Sequence, residues 1–193
     1  LSVDGVDYRK SAGNPLPTIT DPRTLYLNAR QGMASSDFSD VTILLPKEAG
    51  LTELAEQING AWQKDCSLFF SVEEVPQEEF DKRLAAGSYT IALAPIRAEG
   101  GSVYQMLQQF TAEGGGLTGW SDPIYSQRLA ESAQQTGSAR CALLADCERQ
   151  LLEGCAVVPL LGQNRRLLVA DGITGLVFDP FTPVLDLTDA QKN

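Results

Sequence analysis

Between Val41 and Ala94 the chain alternates apolar strands with amphipathic helices and leaves little slack between them. Val41–Leu45 reads Val-Thr-Ile-Leu-Leu and is stopped by Pro46. A strand with so little polar face is covered on both sides. Leu51, Leu54, Ala55, Ile58, Ala61 and Trp62 then recur at helical spacing and define one apolar stripe. Leu68–Val75 reads as a second strand. Pro76 opens a second helix whose first turn carries Glu78 and Glu79, where the helix dipole favours acids, and Gly87 closes it. Phe80 and Leu84 are its apolar pair, and Tyr89–Ala94 is a third strand ended by Pro95. Strand, helix, strand, helix, strand in this order implies two right-handed crossovers and a parallel sheet. The expected fold class is therefore α/β, a mostly parallel sheet flanked by helices. Ligands of such sheets sit beyond the carboxyl ends of the strands, which here are Pro46–Gly50 and Pro95–Ser102.

The flanking regions are less regular. Residues 1–20 are polar, contain Gly13, Pro15 and Pro17, and read as an extended entry segment. Residues 21–193 then read as a single α/β lobe. Asp21-Pro22 starts a helix, with Asp21 as N-cap and Pro22 in the first turn, running through Leu25, Leu27 and Ala29 toward Met33. Ser35–Asp40 reads as a loop. Val103–Phe110 is a short helix burying Leu107 and Phe110, and Glu113–Gly119 is a Gly-rich loop. Ser121 or Asp122 caps a helix carrying Tyr125, Leu129 and Ala133, which Gly137 breaks. Ser138–Glu153 follows as a helix with Ala142, Leu144, Ala145, Leu151 and Leu152 apolar and Gly154 at its carboxyl end. A short apolar strand interrupted by Pro159, the run Arg165–Ala170 and the strand Gly175–Pro180 complete the chain.

Composition closes off several classes of function. The chain has 193 residues, 43% of them hydrophobic, enough for a real core. Its formal net charge of −10 repels phosphate backbones, so no nucleic-acid partner is expected. There is no histidine, which removes Ser-His-Asp and Cys-His nucleophiles and every His-ligated metal or haem site. No cofactor is expected. No apolar run approaches the roughly 20 residues that cross a bilayer, and Leu1–Lys10 lacks the apolar block of a secretory signal. Leu1 in place of an initiator methionine leads us to expect a piece of a longer chain. The cysteines, Cys66, Cys141, Cys147 and Cys155, form no Cys-x-x-Cys pair. On one helix Cys141 and Cys147 would lie about 9 Å apart along the axis, too far for a disulfide. They read as small buried apolar residues, with a disulfide from Cys155 to a neighbour as the alternative.

Candidate chemistry is sparse. Gly114-Gly115-Gly116 lacks the Lys-Ser/Thr of a phosphate loop and reads as a flexible turn. Glu73, Glu74, Glu78 and Glu79 form an acidic cluster that a solvated face explains, and Asp37 and Asp40 fall far short of a calcium loop. Ser36, Ser71 and Ser121 have no base to activate them. Arg165 and Arg166 begin an apolar run and read as solvent-exposed at a sheet edge. Glu99, in Arg97-Ala98-Glu99-Gly100-Gly101-Ser102, stands at the carboxyl end of the third strand, where a carboxylate can hold a ligand ammonium. Arg97 and Ser102 share that loop. Trp120 offers a face on which a ligand can stack. These four, Glu99, Arg97, Ser102 and Trp120, are the expected ligand-binding residues.

Taken together these elements resemble the C-terminal lobe of the extracellular solute-binding proteins of ABC importers, the oligopeptide, dipeptide and nickel class. Val41–Leu45 and the helix from Leu51 to Lys64 are similar to the strand and helix opening that lobe. Phe70–Glu74, the helix with Phe80, Arg83 and Leu84, and Ala86–Ala94 resemble its strand, helix and Gly-x-Tyr/Phe-Asp-Leu run. Gly119-Trp120-Ser121-Asp122-Pro123-Ile124-Tyr125 resembles its Gly-Tyr-Ser-Asn-Pro-x-Tyr/Phe-Asp element, with Ser126 where Asp is common. Cys141–Leu161 resembles its helix, acidic turn and Pro-Val-Ile-Pro-Leu element, and Gly175–Pro180 with Asp186–Ala190 resembles its ending. The family often follows its third strand with Gly-Trp and an Asp that binds the peptide amino terminus; here Glu99 stands in that region and the Trp is absent.

The resemblance implies a periplasmic-binding-protein-like type II fold. One lobe closes on an N-terminal lobe of the same protein around a peptide or small solute and delivers it to an ABC transporter permease. It implies a non-catalytic protein at the extracellular face of a bacterial membrane, held by a lipid anchor, or in the periplasm. Two other readings stay open. A carboxylate-dependent α/β enzyme would need two acids converging in one pocket. A free-standing interaction domain would show a large exposed apolar patch without a crevice.

Overall fold

The structure is a computed structural model of the chain, describing residues 1–16, 18–19, 21–33, 41–97, 101–162, 167–178 and 185–192. In chain order the elements begin with β1 (Ser2–Val3), β2 (Val6–Asp7), α1 (Tyr8–Ala12) and α2 (Pro22–Arg30). They continue with β3 (Thr42–Pro46), α3 (Thr52–Cys66), β4 (Ser71–Val75), α4 (Gln77–Ala85) and β5 (Ile91–Ala92). Then come α5 (Val103–Gln108), α6 (Pro123–Ser132), α7 (Gly137–Glu153) and the short strands β6 (Ile173–Thr174), β7 (Val177–Phe178), β8 (Leu185–Asp186) and β9 (Gln191–Lys192). Two compact units result. A sheet unit comprises Leu16–Ile96 and Gln109–Asp122, and a helical unit comprises Leu1–Pro15, Arg97–Gln108 and Pro123–Asn193.

In the sheet unit the strand order is β4-β3-β5 and both pairings are parallel. The central position of β3 explains its apolar sequence. Ile43 and Leu45 join Ala55 of α3 and Phe70 in one cluster, while Leu44, pointing the other way, joins Val75 and Phe80 of α4 in a second. Adjacent residues of one strand thus feed two cores. Burying a side chain such as Leu45 contributes about 1.5–3 kcal/mol. Trp62 stacks edge-on against Phe70, with ring centroids 5.3 Å apart.

The stripe on α3 includes one residue its apolar pattern does not mark. Asn59 is buried, donating its side-chain amide to the Phe70 carbonyl (2.8 Å) and accepting from the Phe70 N–H (3.1 Å). The two bonds do the work of a ladder rung and fix the chain as it enters β4. Ala61, expected in the stripe, is exposed, because the buried face runs through Ala55 and Asn59 toward Trp62. The Asp21 cap forms as expected, accepting from the Thr24 N–H at 3.0 Å, but α2 stops at Arg30 and buries none of its residues.

The helical unit packs α6 on α7. Tyr125, Leu129 and Ser132 face Cys141, Leu144, Ala145, Cys147 and Leu151 as the buried residues of the two helices, whereas Ala133 and Ala142 are exposed. Tyr125 donates its hydroxyl to the Leu107 carbonyl (2.6 Å), tying α6 to α5. Burial raises the Cys147 thiol to about 11. No disulfide joins the described cysteines, and Cys155 is exposed.

Residues 2–12, within the segment expected to run extended, form a hairpin and a helix instead. Asp4-Gly5, with φ of 50° and 80°, makes the tight turn of a β1–β2 hairpin, and Asp7 then caps α1 by accepting from the Lys10 N–H (3.1 Å). Tyr8 is buried and donates to Glu148 Oε2 (2.9 Å), Arg9 pairs with Glu148 (2.8 Å), and Asp4 pairs with Arg140 (3.2 Å). Burial and the neighbouring Glu148 carboxylate raise the Tyr8 pKa far above the usual phenol value.

The strand expected around Pro159 does not form; residues 156–162 carry no regular structure. Pro159 cannot donate to a ladder. Beyond them β6 pairs with β9 and β7 with β8, both antiparallel.

Candidate functional site

β4 lies on one side of β3 and β5 on the other. The crossover leaving β3 runs to β4, and the next passes back across β3 to β5; an open α/β sheet places its crevice at the carboxyl ends where the strand order turns, here between β3 and β5. Two segments of the sheet unit border this point. After β3, a single 3₁₀ turn over Lys47–Ala49 ends at Gly50, whose φ of 62° suits a residue without a Cβ. After β5, the chain continues through Leu93–Ile96, started by a hydrogen bond from the Leu93 N–H to the Leu44 carbonyl (2.8 Å).

Tyr89, just before β5, donates its hydroxyl to the Thr118 carbonyl (2.9 Å), and its burial raises its pKa. This bond tethers the Gly-rich segment to the strand. Nothing in the sequence around Tyr89 announces the contact, since its partner is a backbone carbonyl far along the chain. The Gly114–Gly116 run turns on itself: Gly114 N–H donates to Thr111 Oγ1 (3.0 Å) and Gly116 N–H to the Thr111 carbonyl (2.9 Å). Those N–H groups are spent inside the turn, which argues against a phosphate cradle.

The acidic cluster is likewise structural. Glu73 pairs with Arg83 (2.7 Å), Glu78 with Lys82 (2.8 Å), and Glu74 accepts from the Thr52 hydroxyl. Among the described residues no group of three or more Cys, Asp or Glu side chains could hold a metal ion. A shallow 210 Å³ hollow is lined by Asp21, Pro22, Arg23, Lys64 and Asp65. It sits at the last turn of α3. A crossover helix runs antiparallel to its strands, so this is the amino end of the sheet, the wrong end for a ligand site of this architecture.

Of the expected ligand-binding residues, Glu99 lies outside the described residues, as do Asp37, Asp40, Arg165 and Arg166. Arg97 is exposed and belongs to the helical unit. Ser102 belongs to the same unit and stands just before α5, its carbonyl accepting from the Met106 N–H (3.0 Å) and its Oγ from the Gln105 N–H (3.4 Å). The hydroxyl is thus engaged as a helix cap. Trp120 belongs to the sheet unit, half-buried, its backbone N–H donating to Thr118 Oγ1 (3.4 Å). The Tyr89–Thr118 bond holds the segment that leads into Trp120.

No family model matches the chain, and no curated protein matches its sequence. Solved structures do match. The substrate-binding domain of an oligopeptide ABC transporter from Bacillus anthracis str. Ames aligns with a TM-score of 0.71 at 18% identity, over 98% of this chain and 38% of that one. This chain carries the fold of the matched 38% of that structure. The pheromone receptor PrgZ, solved to describe its mode of peptide binding, aligns with a TM-score of 0.68 at 18% identity, over 89% of this chain and 33% of that one. The Escherichia coli murein tripeptide binding protein MppA aligns at 0.60 and 16% identity, over 75% of this chain and 30% of that one. The chain spans between 30% and 38% of the length of these structures. Their α/β fold is the one its sequence motifs resemble.

Proposed function

We propose that this chain is one lobe of a substrate-binding protein that captures a peptide, or a related small solute, between two lobes and passes it to an ABC transporter permease without chemistry. The observation that carries the reading is the β4-β3-β5 parallel sheet, set in a fold that an oligopeptide transporter's substrate-binding domain matches over 98% of the chain. In this reading residues 21–193 form the lobe, with the N-terminal hairpin buttressing α7, and a second, N-terminal lobe supplies the opposite wall. Capture works by differential closure: the ligand binds the closed state better than the open one and shifts the population toward it. In this reading Glu99 holds the ligand ammonium, and Arg97, Ser102 and Trp120 are the further ligand-binding residues. Main-chain pairing with an extended peptide tolerates many sequences. The protein works outside the membrane, lipid-anchored at the cell surface or free in the periplasm.

Calorimetry of the complete protein with pools of short peptides tests this. Saturable binding is expected, and Glu99→Gln should weaken it roughly tenfold to a hundredfold, the loss of one charge-assisted bond. The 193-residue chain alone, offering half a groove, should bind weakly or not at all. Absence of peptide binding by the complete protein, or turnover of the peptide, would overturn the reading.

A further inference from the structure

The first turn of α7 does not close itself. Thr136 stands at its N-cap position and makes no side-chain cap bond, so the free N–H groups of that turn need an acceptor from outside the helix. Asp4 brings one from the turn of the β1–β2 hairpin. Its carboxylate accepts from the Gly137 N–H (3.1 Å) and from Arg140 Nη1 (3.2 Å). A negative charge also suits the positive end of the helix dipole. Farther along α7, Glu148 is a second anchor. It accepts from the Tyr8 hydroxyl (2.9 Å) and from both terminal nitrogens of the Arg9 guanidinium (3.2 and 2.8 Å).

Residues 1–13 are thus latched to α7 at two points, and Cys141 lies between those points in sequence. Its thiol is buried, and burial together with the neighbouring Asp4 carboxylate raises its pKa. Cys147 is buried as well, but it faces about 120° away around the helix axis, its Sγ 4.0 Å from the Tyr125 carbonyl oxygen of α6. One helix therefore carries two buried thiols under different covers. The covers differ in strength. α6 contributes Tyr125, Leu129 and Ser132 as buried residues. Residues 1–13 bury only Val3 and Tyr8. They also hold α7 through ion pairs whose side chains stay partly in water, Arg9 at 49% exposure and Asp4 at 33%. Such pairs contribute little each, and a segment with few buried apolar side chains opens before the rest of a fold does.

We propose that the β1–β2 hairpin with α1 is a clasp that opens by itself, uncapping α7 and baring Cys141 while the α6–α7 pair stays closed. The clasp belongs to the helical unit alone and does not depend on the transport reading. Its latches are the Asp4–Arg140 and Arg9–Glu148 pairs, so loosening either one shifts the clasp toward its open state without touching the core that holds Cys147.

Alkylation of the 193-residue chain with iodoacetamide, read cysteine by cysteine by mass spectrometry, tests it. Cys141 should react roughly tenfold faster than Cys147 or more, with a rate that barely responds to low urea, whereas Cys147 follows global unfolding. Arg9→Gln and Asp4→Asn should each speed Cys141 roughly threefold to tenfold and leave Cys147 unchanged. Asparagine is the replacement at Asp4 because it tolerates the φ of 50° there. Lys10→Gln, the same loss of charge on an exposed side chain one residue along, should leave both rates as they are. One common rate for Cys141 and Cys147 with the same urea dependence overturns the proposal. So does a Cys141 rate that neither ion-pair variant moves, or that Lys10→Gln raises as much as Arg9→Gln does.

Discussion

β3 and the segment 167–170 are both made largely of apolar residues, and the structure treats them oppositely. Leu45 has no exposed surface, sandwiched between α3, Phe70 and the neighbouring strands, while Leu168 is almost entirely exposed. The difference is not composition but supply. β3 has a strand on each side and a helix of its own unit on each face, all contributed within a short stretch of chain. The segment 167–170 forms no strand or helix. Apolarity states that a segment will be covered; only the presence of a partner says that it is.

The contrast can be broken most sharply at β3. Leu45→Ala should cost about 2–5 kcal/mol, the transfer loss plus the cavity left behind, read as a shift of the urea midpoint with unchanged slope. Asn59→Ala removes both bonds to Phe70 and leaves that backbone N–H and carbonyl buried without partners, costing about 1–3 kcal/mol in the same measurement.

A smaller effect follows from Cys147. Its thiol is held neutral up to about 11 when folded, against an ordinary value of 9.0. A raised folded pKa means the contribution is complete below pH 9.0 and is lost as pH rises through about 11. Unfolding midpoints should therefore fall over that window, and less steeply in Cys147→Ala than in the parent chain. The smallest effect belongs to the exposed segment 167–170: Leu168→Ser in the 193-residue chain should change stability by no more than about 0.5 kcal/mol. A cost there comparable to that of Leu45→Ala would show that the chain covers this face itself, and the comparison would collapse.

Much of the sheet unit is legible in the sequence. Pro46, Pro76 and Pro95 punctuate it, the stripe through Leu51 and Trp62 sets the helix face, and the apolar run at Val41–Leu45 sets the central strand. The candidate site is legible only as a location, the loops after β3 and β5. Ser102 looks like a ligand hydroxyl in sequence and caps a helix in the structure, because the two roles use the same chemistry. The hairpin at the start of the chain had a signal, Asp4-Gly5 between Val3 and Val6, outweighed by the prolines that follow.

The sequence by itself determined the alternation of strand and helix and the parallel order it enforces, since periodicity and breakers act over a few neighbouring residues. It also determined that no histidine chemistry takes place here. Tertiary structure alone decided that Asn59 braces Phe70, that Tyr8 is buried against Glu148 and that Leu168 stands exposed. Each depends on which groups arrive from elsewhere in the chain, or fail to arrive, and no local pattern encodes that.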